Sequence, residues 1–129
     1  MGFEKLYKNF PELLPDPNII EIDDGWYIIV EDMLSAIKIY QEMNLGKNSL
    51  IPTLFTKIKA KQGWLEIEYN GGDDVVNEVV KFCRTLSFKT CEVCGKIGQL
   101  YCSEKWMHWS NKKTLCTDHA VKLLYYTLV

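Results

Sequence analysis

The stretch that decides the fold reads Cys91-Glu92-Val93-Cys94-Gly95 and, after a loop of hairpin length, Cys116-Thr117-Asp118-His119. Two residues separate the members of each pair, which is the spacing at which structural zinc sites hold their ion. Two ligands on one tight turn point toward the same ion, and the glycine after Cys94 permits the turn that brings backbone amides near the thiolates. The spacing therefore predicts a structural Zn²⁺ site with Cys91, Cys94, Cys116 and His119 as its ligands.

The segments around these ligands predict a treble-clef-like module over residues 91–129. A turn with the first pair precedes a β-hairpin formed by residues 98–103 and 105–115, and a helix should begin at Thr117 and continue toward Val129. Because metal binding in such modules is coupled to folding, zinc should supply much of their stability. Cys83 is predicted to be a core residue, and Cys102 is an alternative to His119 as the fourth ligand. A catalytic zinc needs an open position, and four good ligands are present, so no catalytic residue is assigned.

Residues 1–90 predict the α+β body on which this module is docked. A helix capped by Asp24 should follow Asp23-Asp24-Gly25, because apolar residues recur at three- and four-residue steps up to Met43. Alternating residues on both sides of 61–63 indicate a β-hairpin, and Asp73 or Asp74 should cap a second long helix. No Gly- or Pro-rich linker separates this helix from Cys91. The predicted fold class is therefore α+β: a long helix, a hairpin, a second helix and the zinc module.

Composition places the chain among globular, cytoplasmic proteins. Apolar residues make up 47% and charged residues 25% of the 129 residues. No apolar run is long enough for a membrane span, and the N-terminus lacks the apolar region of a secretory signal. Five cysteines in an odd count favour a reducing compartment, where thiols persist as metal ligands or core residues. The net charge is −4 over residues 1–90 and +2 over residues 91–129, so a strongly basic nucleic-acid footprint is absent.

The tip of the predicted hairpin is the candidate partner surface. It combines aromatic and basic side chains, namely Trp106, His108, Trp109, Lys112 and Lys113. Tryptophan is enriched where proteins anchor partners, and aromatic residues beside lysines also stack on bases, so both interpretations are kept, and some of these residues could equally be core. An HNH-type nuclease would need further histidines for a catalytic metal, and the chain has one spare histidine. An enzyme is therefore the least favoured hypothesis.

The chain resembles a family of short, largely uncharacterised proteins of bacterial and phage genomes. The similarity spans roughly residues 25–120 and rests on Gly25-Trp26, the lysine-rich segment 57–61 before Gly63, Thr90-Cys91-Glu92-Val93-Cys94-Gly95 and Thr114-Leu115-Cys116-Thr117-Asp118-His119-Ala120. It implies zinc at the four ligands and an origin in a mobile element, but no activity. Gln62 stands where an aromatic residue is expected, and the hairpin is longer and richer in tryptophan.

Two functional hypotheses follow. The first is a non-enzymatic, zinc-stabilised binding protein that acts by protein–protein contact, such as a phage- or prophage-encoded inhibitor of a host defence complex of the anti-CRISPR kind. The alternative is a nucleic-acid-binding regulatory protein that uses the basic zinc module. The sequence does not fix the oligomeric state.

Overall fold

The computed structural model describes residues 2–44, 51–103, 111–125 and 127–128. Within these ranges the fold is mixed α+β with two small sheets, as predicted for the fold class. The helices and strands are α1 (Glu4–Asn9), β1 (Ile20–Glu21), α2 (Tyr27–Met43), β2 (Leu54–Lys61), β3 (Trp64–Asn70), α3 (Asp74–Ser87), β4 (Gln99–Cys102), β5 (Lys112–Leu115), α4 (Thr117–Lys122) and β6 (Thr127–Leu128).

The first sheet contains the predicted hairpin. Its strands lie in the order β1-β2-β3, with β1 parallel and β3 antiparallel to β2. Residues on β3 alternate between a buried face and a more exposed one, because successive side chains of a strand point to opposite sides. On the exposed side, Lys57 lies 3.8 Å from Glu66 and 3.6 Å from Glu68. These solvated pairs contribute little to stability.

The start of α2 differs from the prediction. Asp24 does not cap this helix; instead, Asp24–Trp26 form a single turn of 3-10 helix, and α2 begins at Tyr27 without a side-chain cap. The reason is tertiary. The backbone amide of Gly25 donates a hydrogen bond to the carbonyl oxygen of Glu92 at 2.8 Å, and this contact fixes the chain before the helix starts.

The start of α3 follows the prediction. Asp73 is the N-cap, and its Oδ1 accepts hydrogen bonds from the amides of Val75 at 3.1 Å and Val76 at 3.2 Å. The hydroxyl of Tyr40 on α2 donates to the other carboxylate oxygen of Asp73 at 2.5 Å. This hydrogen bond is the main cause that lowers the pKa of Asp73 and raises the pKa of Tyr40. The cap therefore also joins the two long helices.

Two apolar clusters fill the interior. The larger cluster is built from α1, α2, α3 and the first sheet, and it contains the fully buried Trp26 and Phe55. The N-terminal segment packs onto this core, since Leu6 and Phe10 are buried there. The smaller cluster belongs to the C-terminal segment and consists of Cys91, Tyr101, Leu115, Ala120 and Tyr125. The division of the chain into residues 1–90 and 91–129 stays a prediction.

Close backbone contacts hold the C-terminal segment against the rest of the chain. The indole nitrogen of Trp26 donates to the carbonyl oxygen of Thr90 at 2.8 Å, and the hydroxyl of Thr114 donates to the carbonyl oxygen of Gly63 at 2.6 Å. A side chain at Gly25 would overlap the backbone of Cys91 and Glu92. Glycine is thus required here by close approach rather than by its backbone angles.

The C-terminal helix is shorter than predicted. We expected it to continue toward Val129, whereas α4 ends at Lys122 and β6 returns to pair with β4. The stop is a Schellman motif: the amide of Tyr125 donates to Ala120 at 2.8 Å, and Leu124 adopts a positive φ of 62°. No helix among the described residues is long and apolar enough to cross a membrane.

Candidate metal centre

The first ligand pair lies on a tight turn directly after α3. The amide of Gly95 donates a hydrogen bond to the carbonyl oxygen of Cys91 at 3.0 Å. The amide of Cys91 donates a hydrogen bond to the carbonyl oxygen of Lys96 at 2.7 Å. Gly95 has a φ of +83°, a conformation that other residues adopt only with strain. The predicted need for glycine after Cys94 is confirmed.

The second pair is placed by β5 and α4. Cys116 follows the last residue of β5 and is the N-cap residue of α4, and His119 lies in the first turn of that helix. The hairpin β4–β5 thereby brings the second pair back to the first. The order of turn, hairpin and helix is the one that the sequence predicted around its ligands, although the helix is shorter than predicted.

The donor atoms of Cys91, Cys94, Cys116 and His119 all lie within 4.8 Å of one another. The Sγ of Cys94 and of Cys116 are 3.7 Å apart, and the Nδ1 of His119 lies 3.7 Å from Sγ of Cys91 and 3.2 Å from Sγ of Cys116. Tetrahedral coordination at ordinary zinc–ligand bond lengths requires about 3.8 Å between two sulfurs and about 3.6 Å between sulfur and nitrogen. The four residues therefore fit one tetrahedral metal ion.

The remaining cysteines are outside this cluster. No other group of three or more histidine, cysteine or acidic residues is placed to hold a metal in the described part of the chain. Cys102 lies on β4 and is not part of the cluster. Cys83 is buried in the larger core, as predicted, and its burial raises the pKa of the thiol to about 11, with Asp32 acting in the same direction.

The two sides of the cluster differ in their electrostatics. The backbone amide of His119 is the main cause that lowers the pKa of Cys116 to about 6, and the ring of His119 and the neighbouring thiols add to this. Desolvation instead raises the pKa of Cys94, and its hydrogen bonds to Cys91 and Cys116 act in the same direction. Of Cys94 and Cys116, Cys116 is therefore the thiol that more readily binds a cation as thiolate.

Glu92 is a site residue that sequence reasoning missed. It lies between the first two cysteines, and its carboxyl group is buried: Oε2 accepts a hydrogen bond from the amide of Thr114 at 2.9 Å, and Oε1 lies 3.7 Å from Nζ of Lys113. Burial is the main cause that raises the pKa of Glu92. The residue fastens the turn to β5. An acidic residue within a ligand pair is the only signal that the sequence offers for this role.

The predicted partner surface is only partly described. Trp106, His108 and Trp109 lie outside the described residues. Lys112 and Lys113 lie on β5, where both are half-buried. Lys113 forms the ion pair with Glu92, so its charge is engaged within the protein.

Comparison with models of known protein families, with curated proteins and with solved structures gives no match for this chain. The resemblance to bacterial and phage proteins is therefore without support from these comparisons. What the structure establishes is a mixed α+β fold with a Cys₃His cluster that could hold a metal ion.

Proposed function

We propose that the protein is a non-enzymatic binding protein that is stabilised by zinc and acts by contacting another protein. The observation that carries this proposal is an apolar groove between α2 and α3, hereafter the α2–α3 groove, with a volume of about 770 Å³. Its rim includes Ile28 and Phe82, whose side chains are 62% and 63% exposed. Contiguous exposed apolar patches are typical of interaction sites.

The exposed rim of this groove is not part of the core, although its floor is. One face of α3 already fills the core with Val76, Val80 and Cys83. The helix carries a second apolar row, which lies in the groove and consists of Val75, Val79, Phe82 and Leu86. In this second row Val79 and Leu86 also pack against the core, whereas Val75 and Phe82 stay 44% and 63% exposed, and burial of the first row already explains how the amphipathic helix is held.

The metal centre supports a structural rather than a catalytic role. Three thiolates and one imidazole form a donor set that zinc prefers, and four protein ligands leave no open position for a reacting water. We assign the ion as Zn²⁺ and the segment as a treble-clef-like module. The thiols must stay reduced to bind it, which is the condition of the cytoplasm.

Inhibition of a host defence complex, as in anti-CRISPR proteins, is the particular form of this function that the resemblance suggested, and a large host assembly is then the expected partner. The alternative, a nucleic-acid-binding regulator, is less favoured. The cation of Lys113 is paired with Glu92, and carboxylates line the α2–α3 groove. Carboxylates repel phosphates, so the groove itself is unsuited to nucleic acid.

Affinity capture tests the proposal. The zinc-loaded full chain is used as bait in bacterial lysate with and without nuclease treatment, and each captured protein is purified and titrated against the chain. We expect a partner that is retained after nuclease treatment and binds in the purified system. Retention that is lost with nuclease would favour the nucleic-acid alternative, and the absence of any reconstituted protein partner would refute the proposal.

A further inference from the structure

We infer that the α2–α3 groove receives an amphipathic helix of a partner protein, whose apolar side fills the groove and whose flanks carry lysine or arginine. This inference rests on the proposed protein-binding function and adds the chemistry of the partner. Three observations carry it: the shape of the groove, the backbone hydrogen bonds within the two helices that form its walls, and the charge of its lining.

The shape fits one helix. Buried residues such as Met33 and Cys83 form the floor, and exposed residues such as Ile28 and Phe82 form the rims. The row on α3 extends from Val75 to Leu86, which corresponds to about 17 Å of helix axis. A partner helix of about three turns covers that length and presents apolar side chains at steps of three and four residues.

The walls exclude an added strand. Both sides of the groove are α-helices, whose backbone amides and carbonyls are already paired within α2 and α3. An extended peptide would leave its own backbone groups unpaired against an apolar surface, and this is costly. A helix brings no such groups, so it is the backbone conformation that suits the groove.

The charge of the lining selects the partner. Asp32, Asp74 and Glu78 line the groove, and no lysine or arginine is among its lining residues in the described part of the chain. Glu78 also forms an exposed ion pair with Lys81 at 3.4 Å, so Asp32 and Asp74 contribute most of the negative charge. All three carboxylates belong to exposed residues. A second copy of this chain, packed through the same groove, would set these carboxylates against themselves. A helix with basic flanks instead meets opposite charge, which favours correct docking and speeds association.

Two synthetic helical peptides test the inference on the zinc-loaded full chain. Both have 15 residues and the same leucine stripe at steps of three and four; one carries lysine beside the stripe and the other carries glutamate. Binding is measured by fluorescence anisotropy at two salt concentrations. We expect the lysine peptide to bind at least about ten-fold more tightly, with the difference shrinking as salt increases.

Chain variants locate the binding. Ile28→Ser removes an apolar side chain from the groove, while Ile39→Ser makes the same change on the same helix outside it, at a residue that is 57% exposed. We expect Ile28→Ser and Phe82→Ser each to lower the affinity for the lysine peptide about ten-fold. We expect Ile39→Ser to change that affinity less than about two-fold. Circular dichroism verifies that all three variants remain folded.

The inference is overturned if both peptides bind equally, if neither binds below millimolar concentration, or if Ile28→Ser and Phe82→Ser leave binding unchanged. A dimer that is broken by Ile28→Ser but not by Ile39→Ser would identify a second copy as the occupant and would also overturn it. None of these results alone refutes the proposed protein-binding function. That function fails separately, when lysate capture yields no protein partner for the wild-type chain.

Discussion

Gly25→Ala tests whether the metal-binding segment is rigidly docked. The added methyl group would overlap the carbonyl oxygen of Cys91 and the backbone of Glu92. Backbone atoms cannot move aside as the end of a flexible side chain can, so the two segments must separate. Separation would break the hydrogen bonds Gly25 N–Glu92 O and Trp26 Nε1–Thr90 O, each 2.8 Å long.

The expected loss follows from these contacts. Two hydrogen bonds contribute about 1 kcal/mol each, and the residual overlap adds about 1–2 kcal/mol. We therefore expect the free energy of unfolding to fall by about 2–4 kcal/mol and Tm to fall by roughly 8–15 °C. Chemical denaturation of the zinc-loaded protein, followed by circular dichroism and tryptophan fluorescence, measures the change. Zinc content, determined in parallel, separates a docking effect from loss of the ion.

Gly2→Ala is the matched control. There the added methyl group would meet only the side-chain end of Glu4, which can rotate away. We expect this variant to lie within about 0.5 kcal/mol of wild type. If Gly25→Ala were equally harmless, the close approach of the two backbones would not be rigid, and the argument for a docked module would be wrong.

Three further predictions concern the cap, the ligands and the Schellman motif. Tyr40→Phe removes the hydrogen bond that lowers the pKa of Asp73. The loss of stability caused by this variant should be constant near neutral pH and should become smaller as pH falls below the ordinary carboxyl pKa of 3.8 toward the lowered pKa of Asp73. Urea titrations of both proteins between about pH 3 and 7 measure this difference. Cys116→Ser should reduce bound zinc from one ion per chain to almost none in elemental analysis, whereas Cys102→Ser should retain it; equal loss in both would contradict the ligand assignment. Leu124→Gly should raise stability by about 0.5–1 kcal/mol in thermal melts, because leucine at a φ of +62° is strained and its side chain is already 61% exposed; a lower Tm would refute this.

Local patterns in the sequence were sufficient for the ligand cluster and the main elements. Cys91, Cys94, Cys116 and His119 could be placed together because ligand spacing is a local property that coordination geometry imposes. The periodicity of α2 and the cap at Asp73 are local as well. The predicted hairpin was equally clear because strands alternate with a period of two residues.

Features set by tertiary contact could not be predicted in this way. The sequence favoured Asp24 as a helix cap, but the approach of Glu92 to Gly25 imposed a turn of 3-10 helix instead. The C-terminal helix ended early, at Lys122, because Leu124 adopts a left-handed conformation for which the sequence gives no signal. The buried carboxyl group of Glu92 depends on a partner strand more than twenty residues away, so local pattern alone does not reveal it.

A metal ion bound at the Cys₃His cluster would compensate for the small size of the second apolar cluster in the described part of the chain. This apolar cluster contains Cys91, Tyr101, Leu115, Ala120 and Tyr125, and the first of these is itself a predicted ligand. A cluster of the size described offsets only part of the conformational entropy of ordering such a segment, so other links would add to its stability. The Cys₃His cluster offers one link within the segment, and the contacts of Gly25 and Gly63 offer another to the larger core. The α2–α3 groove is separate from these links, since its lining comes entirely from α2 and α3, and its rim residues Val75 and Phe82 stay exposed although the floor below them belongs to the core.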